Sequence, residues 1–72
     1  MEKIRIKTPY ITLGQFLKFV GLISFGGEEK SYLASHEALV DSEPDNRRGR
    51  KLYPGMIVKI NSKEYEICSS EE

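Results

Sequence analysis

An α+β fold is predicted, with two helices packed on one face of a small, mostly antiparallel sheet. Three observations predict it. An alternating segment opens the chain, two stretches then carry apolar residues at helical spacing, and two further alternating segments follow a long polar loop. Elements in that order bury their apolar faces as helices laid on a sheet. The 72 residues are read as a single domain, 1–72, near the lower size at which a core holds without disulfide or metal.

"KIRIK" (3–7) alternates strictly, so it reads as a half-buried strand with Ile4 and Ile6 inward. Pro9 breaks the pattern. In "TLGQFLKFVG", Leu13, Phe16, Leu17 and Val20 fall on one helical face. Thr12 and Gln15 supply a capping box, Gly21 a C-terminal stop, and Gly14 is tolerated inside at some cost. A second helix is expected to start near Gly26 or Gly27, with Glu28 and Glu29 in its first turn, where the helix dipole favours acids. It would bury Tyr32 and Leu33 and end near His36. "EALV" reads as a short strand, and "DSEPDNRRGRK" is too polar and turn-rich to be core. Leu52 and Tyr53 return to the body before Pro54-Gly55, the central pair of a type II turn. "MIVKI" and "EYEIC" form a hairpin around Asn61, Ser62 and Lys63, with Val58, Ile60, Tyr65 and Ile67 facing the core.

Composition excludes several classes of function. No apolar run approaches the roughly 20 residues that span a bilayer, and the N-terminus lacks the apolar centre of a secretion signal. Cys68 is the only cysteine, so neither an intrachain disulfide nor a cysteine-rich zinc site is expected. A cytoplasmic location follows as the expectation. His36 stands alone near a helix end, Cys68 has no cations close in sequence, and the serines lack a nucleophile signature. The glycines of "GLISFGGEEK" match neither a Walker loop nor a dinucleotide fingerprint. An enzyme is therefore not expected, nor a cofactor, a metal or a small-molecule substrate.

Charge distribution is more informative than its total. Eleven Lys and Arg balance eleven Asp and Glu, yet Arg47, Arg48, Arg50 and Lys51 crowd one loop that holds Asp45 alone among acids. The Debye length at physiological salt is roughly 8 Å, so a ligand at this loop feels mainly local charge. Arginine offers planar, bidentate donors that suit phosphate, which favours an anion-binding loop. Gly49 is expected to let the chain turn and keep the cations together. The competing reading is a solvated loop whose charges are answered by Asp41, Glu43 and Asp45.

Lys18 on the first helix and Lys30 on the second extend that surface if the helices pack antiparallel. Lys3, Arg5 and Lys7 form a basic row on the first strand, and Glu64 and Glu66 an acidic one on the last; both read as ordinary surface, steadied by opposite charges across paired strands. Phe25 is either a staple onto the second helix or an exposed stacking platform, and Tyr53 either a core edge or a stacking surface. Two platforms are too few for a single-strand groove, so recognition of folded RNA by shape and phosphate position fits better.

In order, "TLGQFL", "SFGGEEKSYL", "ALVDS" and "YPGMIVKI" resemble the ribosomal-protein-S4-like RNA-binding domain, the alpha-L motif. "ITLGQFLKFVGLIS", "GGEEK" and "EPDNRRGRKLYPG" resemble most closely its small stand-alone YaaA-type members of Gram-positive bacteria. The resemblance implies non-catalytic binding of structured RNA, ribosomal in this family, by the two helices and the following loop. Carried over by position, it implies RNA contacts at Lys18, Lys30, Arg47, Arg48, Arg50 and Lys51. Departures are Glu29 in place of alanine, Asp41-Ser42 in place of Asn-Gly, and Phe25 and Met56 where small or acidic residues are usual. The alternative is a protein-interaction module whose arginine-rich loop meets an acidic partner.

Overall fold

A computed structural model describes residues 1–70. Strand β1 is Glu2–Ile6, β2 is Ile11–Thr12, and helix α1 is Leu13–Phe19. A 3-10 turn at Gly26–Glu28 leads into α2, Glu29–Ser35. Then come β3 (Leu39–Val40), β4 (Glu43–Pro44), β5 (Lys51–Leu52), β6 (Ile57–Ile60) and β7 (Lys63–Ser69). The main sheet has the order β1-β7-β6-β3-β4, with β1 parallel to β7 and the other neighbours antiparallel. A second, two-stranded ribbon pairs β2 with β5. The architecture is the expected α+β arrangement of two helices with a mostly antiparallel sheet.

Local chemistry explains the boundaries. Thr12 Oγ1 accepts from the Gln15 N–H at 3.2 Å and Gln15 Oε1 accepts from the Thr12 N–H at 2.8 Å, closing the capping box. At the far end Gly21 takes φ +81°, with Gly21 N–H on Lys18 O and Leu22 N–H on Leu17 O, a Schellman closure. The second helix starts later than the sequence implies. Glu28 Oε1 reaches back to accept from the Ser24 and Phe25 N–H groups at 3.0 and 2.9 Å, which tightens Gly26–Glu28 into a 3-10 turn before α2.

One core joins all layers. Ile4, Ile6, Leu13, Phe16, Leu17, Leu33, Val40, Leu52, Val58, Ile60, Tyr65 and Ile67 are buried in a single cluster. Phe16 meets Tyr65 edge-on with ring centroids 5.1 Å apart. Tyr32, expected to be buried, is only half-buried because its ring stacks on His36, 4.0 Å between centroids, at the rim. Of the basic row only Lys3 meets the acidic row, opposite Glu66; Arg5 falls opposite Cys68, and Glu64 faces Lys59 of β6 instead.

The segment expected to be one long loop is more ordered than its polarity suggests. Asp41 and Ser42 both adopt positive φ, 50° and 72°, and make a tight reversal that returns Glu43–Pro44 onto β3. Asp41 secures it without glycine, since its Oδ1 accepts from the Ile57 N–H at 2.9 Å and its own N–H donates to Ile57 O. The hairpin between β6 and β7 is likewise two residues, Asn61-Ser62, both at positive φ, so Lys63 belongs to the strand. Pro54-Gly55 turns as expected, with Gly55 at φ +97° and Met56 N–H on Tyr53 O.

Candidate nucleic-acid interface

The basic loop is held through its backbone. Arg50 O accepts from the Leu13 N–H at 2.8 Å, and Arg48 O accepts from the Gly14 N–H at 2.9 Å. With Thr12 capping Gln15, these carbonyls satisfy the N–H groups that open α1 and would otherwise lack partners. Two of the loop's carbonyls thus face α1. Arg50 N–H closes on Arg47 O at 3.0 Å, a turn over Arg48-Gly49. Gly49 does not use the left-handed region there, so the turn itself, and not glycine's extra freedom, gathers the cations.

Asp45 organises the charges. Its Oδ1 accepts from Arg47 N–H and Nε at 2.9 and 3.1 Å, and its Oδ2 from Arg47 Nη2 and Arg50 Nη1 at 2.8 and 2.9 Å. The Asp45 side chain is only 7% exposed, against 30% for Arg50 and 68% for Arg47. The Arg47 guanidinium, with its backbone N–H and Arg50 adding to it, outweighs burial and holds the Asp45 carboxyl well below the usual carboxylate range. Asp45 is thus the only acid that answers the loop in an ion pair among the described residues. Asp41 spends its carboxylate on the Ile57 N–H, whereas Glu43 lines the same groove as Arg47 and Arg50 without an ion pair to either among the described residues. Within 45–51 four cations against one carboxylate leave an excess of three positive charges, and Glu37 and Glu43 stand beside Arg47 and Arg50 in the fold. Arg48 is exposed and has no ion pair among the described residues.

The remaining cations divide. Arg47 and Arg50 line an open groove of about 750 Å³ with Leu33, Ala34 and Ala38, which sets the loop beside the C-terminal end of α2. Lys30 is exposed one turn before Ala34 on the same face of that helix, and Lys18 is exposed one turn beyond Gly14 on α1. Lys51 departs from the group. Its ammonium lies 5.0 Å from the centre of the Tyr10 ring, and Tyr10 packs against Tyr53 at 5.6 Å. Tyr10 had no sequence signal of its own; only the β2–β5 register shows its position. Phe25 is 73% exposed, so the staple onto α2 is not formed.

Glu29 has a structural task. Its carboxylate fills the space where a Cβ of Gly14 would stand, at the start of α1, and an acid is favoured at a helix N-terminus. A Cβ at position 14 would collide with that carboxylate. Gly14→Ala should therefore gain up to about 1 kcal/mol of helix propensity when Glu29 is also alanine, and clearly less when Glu29 is present. Urea unfolding of the two single variants and the double variant measures the coupling. Equal gains in both backgrounds would mean that Glu29 does not occupy the site.

Among the described residues no group of three or more His, Cys, Asp or Glu could hold a metal. No helix among them is long and apolar enough to cross a membrane. No solved structure matches the chain. A curated relative, the "Probable ribosome maturation protein RlbA" of Bacillus subtilis strain 168, is 60% identical over 57 residues, covering 79% of this chain and 80% of that protein. The S4 domain family model matches residues 4–68, a span that runs from β1 through both helices and the arginine loop to β7. With that span and this architecture, the chain belongs to the S4 domain family.

Proposed function

We propose that this protein is a non-catalytic RNA-binding module of the cytoplasm that recognises structured ribosomal RNA through Lys18, Lys30, Arg47, Arg48, Arg50 and Lys51. The observation that carries the reading is the docking of Arg48 O and Arg50 O on the first turn of α1, which holds in place the backbone that bears the arginines. A backbone held in advance spares binding energy that would otherwise go into ordering a flexible loop. Family membership and the relative named for ribosome maturation support the choice of RNA over other polyanions.

The reading is tested by salt. If about four phosphates are neutralised, affinity for ribosomal RNA should fall roughly a hundredfold between 50 and 200 mM salt. Alanine at Arg47, Arg48, Arg50 and Lys51 should flatten that dependence in a protein that still unfolds cooperatively. An unchanged slope in the folded variant would refute the proposal. Binding to ribosomes that survives nuclease treatment, with none to isolated RNA, would transfer the loop to an acidic protein partner.

A further inference from the structure

We propose that Tyr10 and Tyr53 form a stacking site for one unpaired nucleobase at the edge of the bound RNA, with Lys51 holding that nucleotide's phosphate. The inference rests on the RNA-binding reading and adds a base contact to its phosphate contacts.

The site follows from strand alternation. In the β2–β5 ribbon, Ile11 pairs with Leu52 and Thr12 with Lys51. One further step in the same register places Tyr10 across from Tyr53. Side chains alternate between the two faces of a ribbon, so Ile11 and Leu52 turn to the core while Tyr10, Lys51 and Tyr53 share the outer face. Lys51 and Tyr10 are then diagonal neighbours, which accounts for the ammonium 5.0 Å from the ring centre.

Two large rings left on the surface need a reason. Tyr10 is 36% and Tyr53 47% exposed, and the rings meet at 47°, tilted and not stacked. Burying them is not what their positions accomplish, because Leu52 and Ile11 already close the core beneath. The pair is rigid. Thr8 Oγ1 donates to Tyr10 O at 2.7 Å, and the turn after Tyr53 is tied to β7 by Gly55 N–H on Ile67 O and Ile67 N–H on Met56 O. An aromatic surface with a cation over one ring matches the two halves of a nucleotide, base and phosphate, the ammonium passing from the ring to the phosphate as the base stacks. Its place in the chain matters as well, since Lys51 is the last cation of the arginine loop. A strand whose phosphates follow Arg47 to Arg50 would deliver its next base to these rings.

The test uses three RNA hairpins with one common stem. One has a blunt end, one a short 3′ overhang of adenosines, and one the same overhang built from abasic ribose phosphates. The adenosine and abasic overhangs carry equal charge, so only the bases differ. The protein should bind the adenosine overhang about 5- to 150-fold more tightly than the abasic one. That ratio should hold between 50 and 200 mM salt while both affinities fall, because stacking releases no counterions. Y10L/Y53L, which keeps apolar cover over the ribbon, should lose the ratio, and Y10F/Y53F should keep it. On the unaltered protein, 2-aminopurine in the overhang should be quenched on binding.

Equal affinity for the two overhangs, unchanged 2-aminopurine fluorescence, or a ratio that survives Y10L/Y53L would each overturn the stacking site. Those results leave the phosphate-binding loop intact if the blunt hairpin still binds with a steep salt dependence. No binding to any hairpin at low salt would overturn both.

Discussion

Leu52→Ala is expected to cost about 2–5 kcal/mol and to loosen both surfaces on which the functional reading depends. Leu52 is 0% exposed, so the truncation leaves a cavity that the surrounding sheet and helix cannot fill without repacking. Whole-domain stability at this size is only about 4–11 kcal/mol, so the loss is a large share of it. The residue also sits where three features converge: it pairs with Ile11 in the ribbon, follows the last loop cation, and precedes the Tyr53–Met56 turn. Urea or thermal unfolding measures the cost, and amide exchange locates it. The N–H groups of Leu13 and Gly14, bonded to Arg50 O and Arg48 O, should exchange faster than those of the β6–β7 hairpin. A loss under about 1 kcal/mol, or uniform exchange across the domain, would show that Leu52 does not anchor the loop.

Asp45→Asn is expected to cost about 1–2 kcal/mol at neutral pH and to remove an acid-sensitive component of stability. The value is kept below that of a buried pair because Arg47 is 68% exposed and recovers much of its hydration when released. Arg50, at 30%, recovers less and accounts for most of the cost. The folded carboxyl is depressed below its value in the unfolded chain, chiefly by the Arg47 guanidinium. Its contribution is therefore fully present above the ordinary carboxylate range and is lost as pH falls through that range toward the lower folded value. The stability gap between wild type and D45N should hold down to about pH 5 and narrow from there to about pH 3 and below. A gap constant over that interval would mean that Asp45 is not held by the arginines in solution. The same substitution frees two guanidinium groups and relaxes the turn that gathers them, so ordering and charge act on RNA affinity in opposite directions.

The legibility of this fold varies from segment to segment for identifiable reasons. Helix α1 was readable because every signal within it agrees: the Thr12–Gln15 box, the spacing of Leu13, Phe16 and Leu17, and Gly21 as the stop. Alternation likewise exposed β1 and the β6–β7 hairpin, since inward Ile4, Ile6, Val58, Ile60, Tyr65 and Ile67 recur at every second position. Strand β4 was not legible. Glu43 and Pro44 have no strand propensity and are exposed; they pair only because the Asp41-Ser42 reversal folds them back on Leu39–Val40. Similarly, Tyr32 lies on the apolar face by spacing, yet His36 draws its ring to the rim.

For the candidate site, the sequence by itself determined the identity and crowding of the cations, because four of them fall within five positions of one loop. It also determined the anchor, because Leu52 and Pro54-Gly55 carry their own apolar and turn signals. Tertiary structure alone decided how those charges are used. That Asp45 takes both Arg47 and Arg50 while Asp41 serves Ile57 depends on where each carboxylate lands, and the acids of this segment look alike in a string of letters. That Tyr10 meets Tyr53 and Lys51 depends on the register of a ribbon whose strands lie some forty residues apart. Charge and turn propensity are properties of neighbours along the chain, whereas pairing register is set only when the core closes.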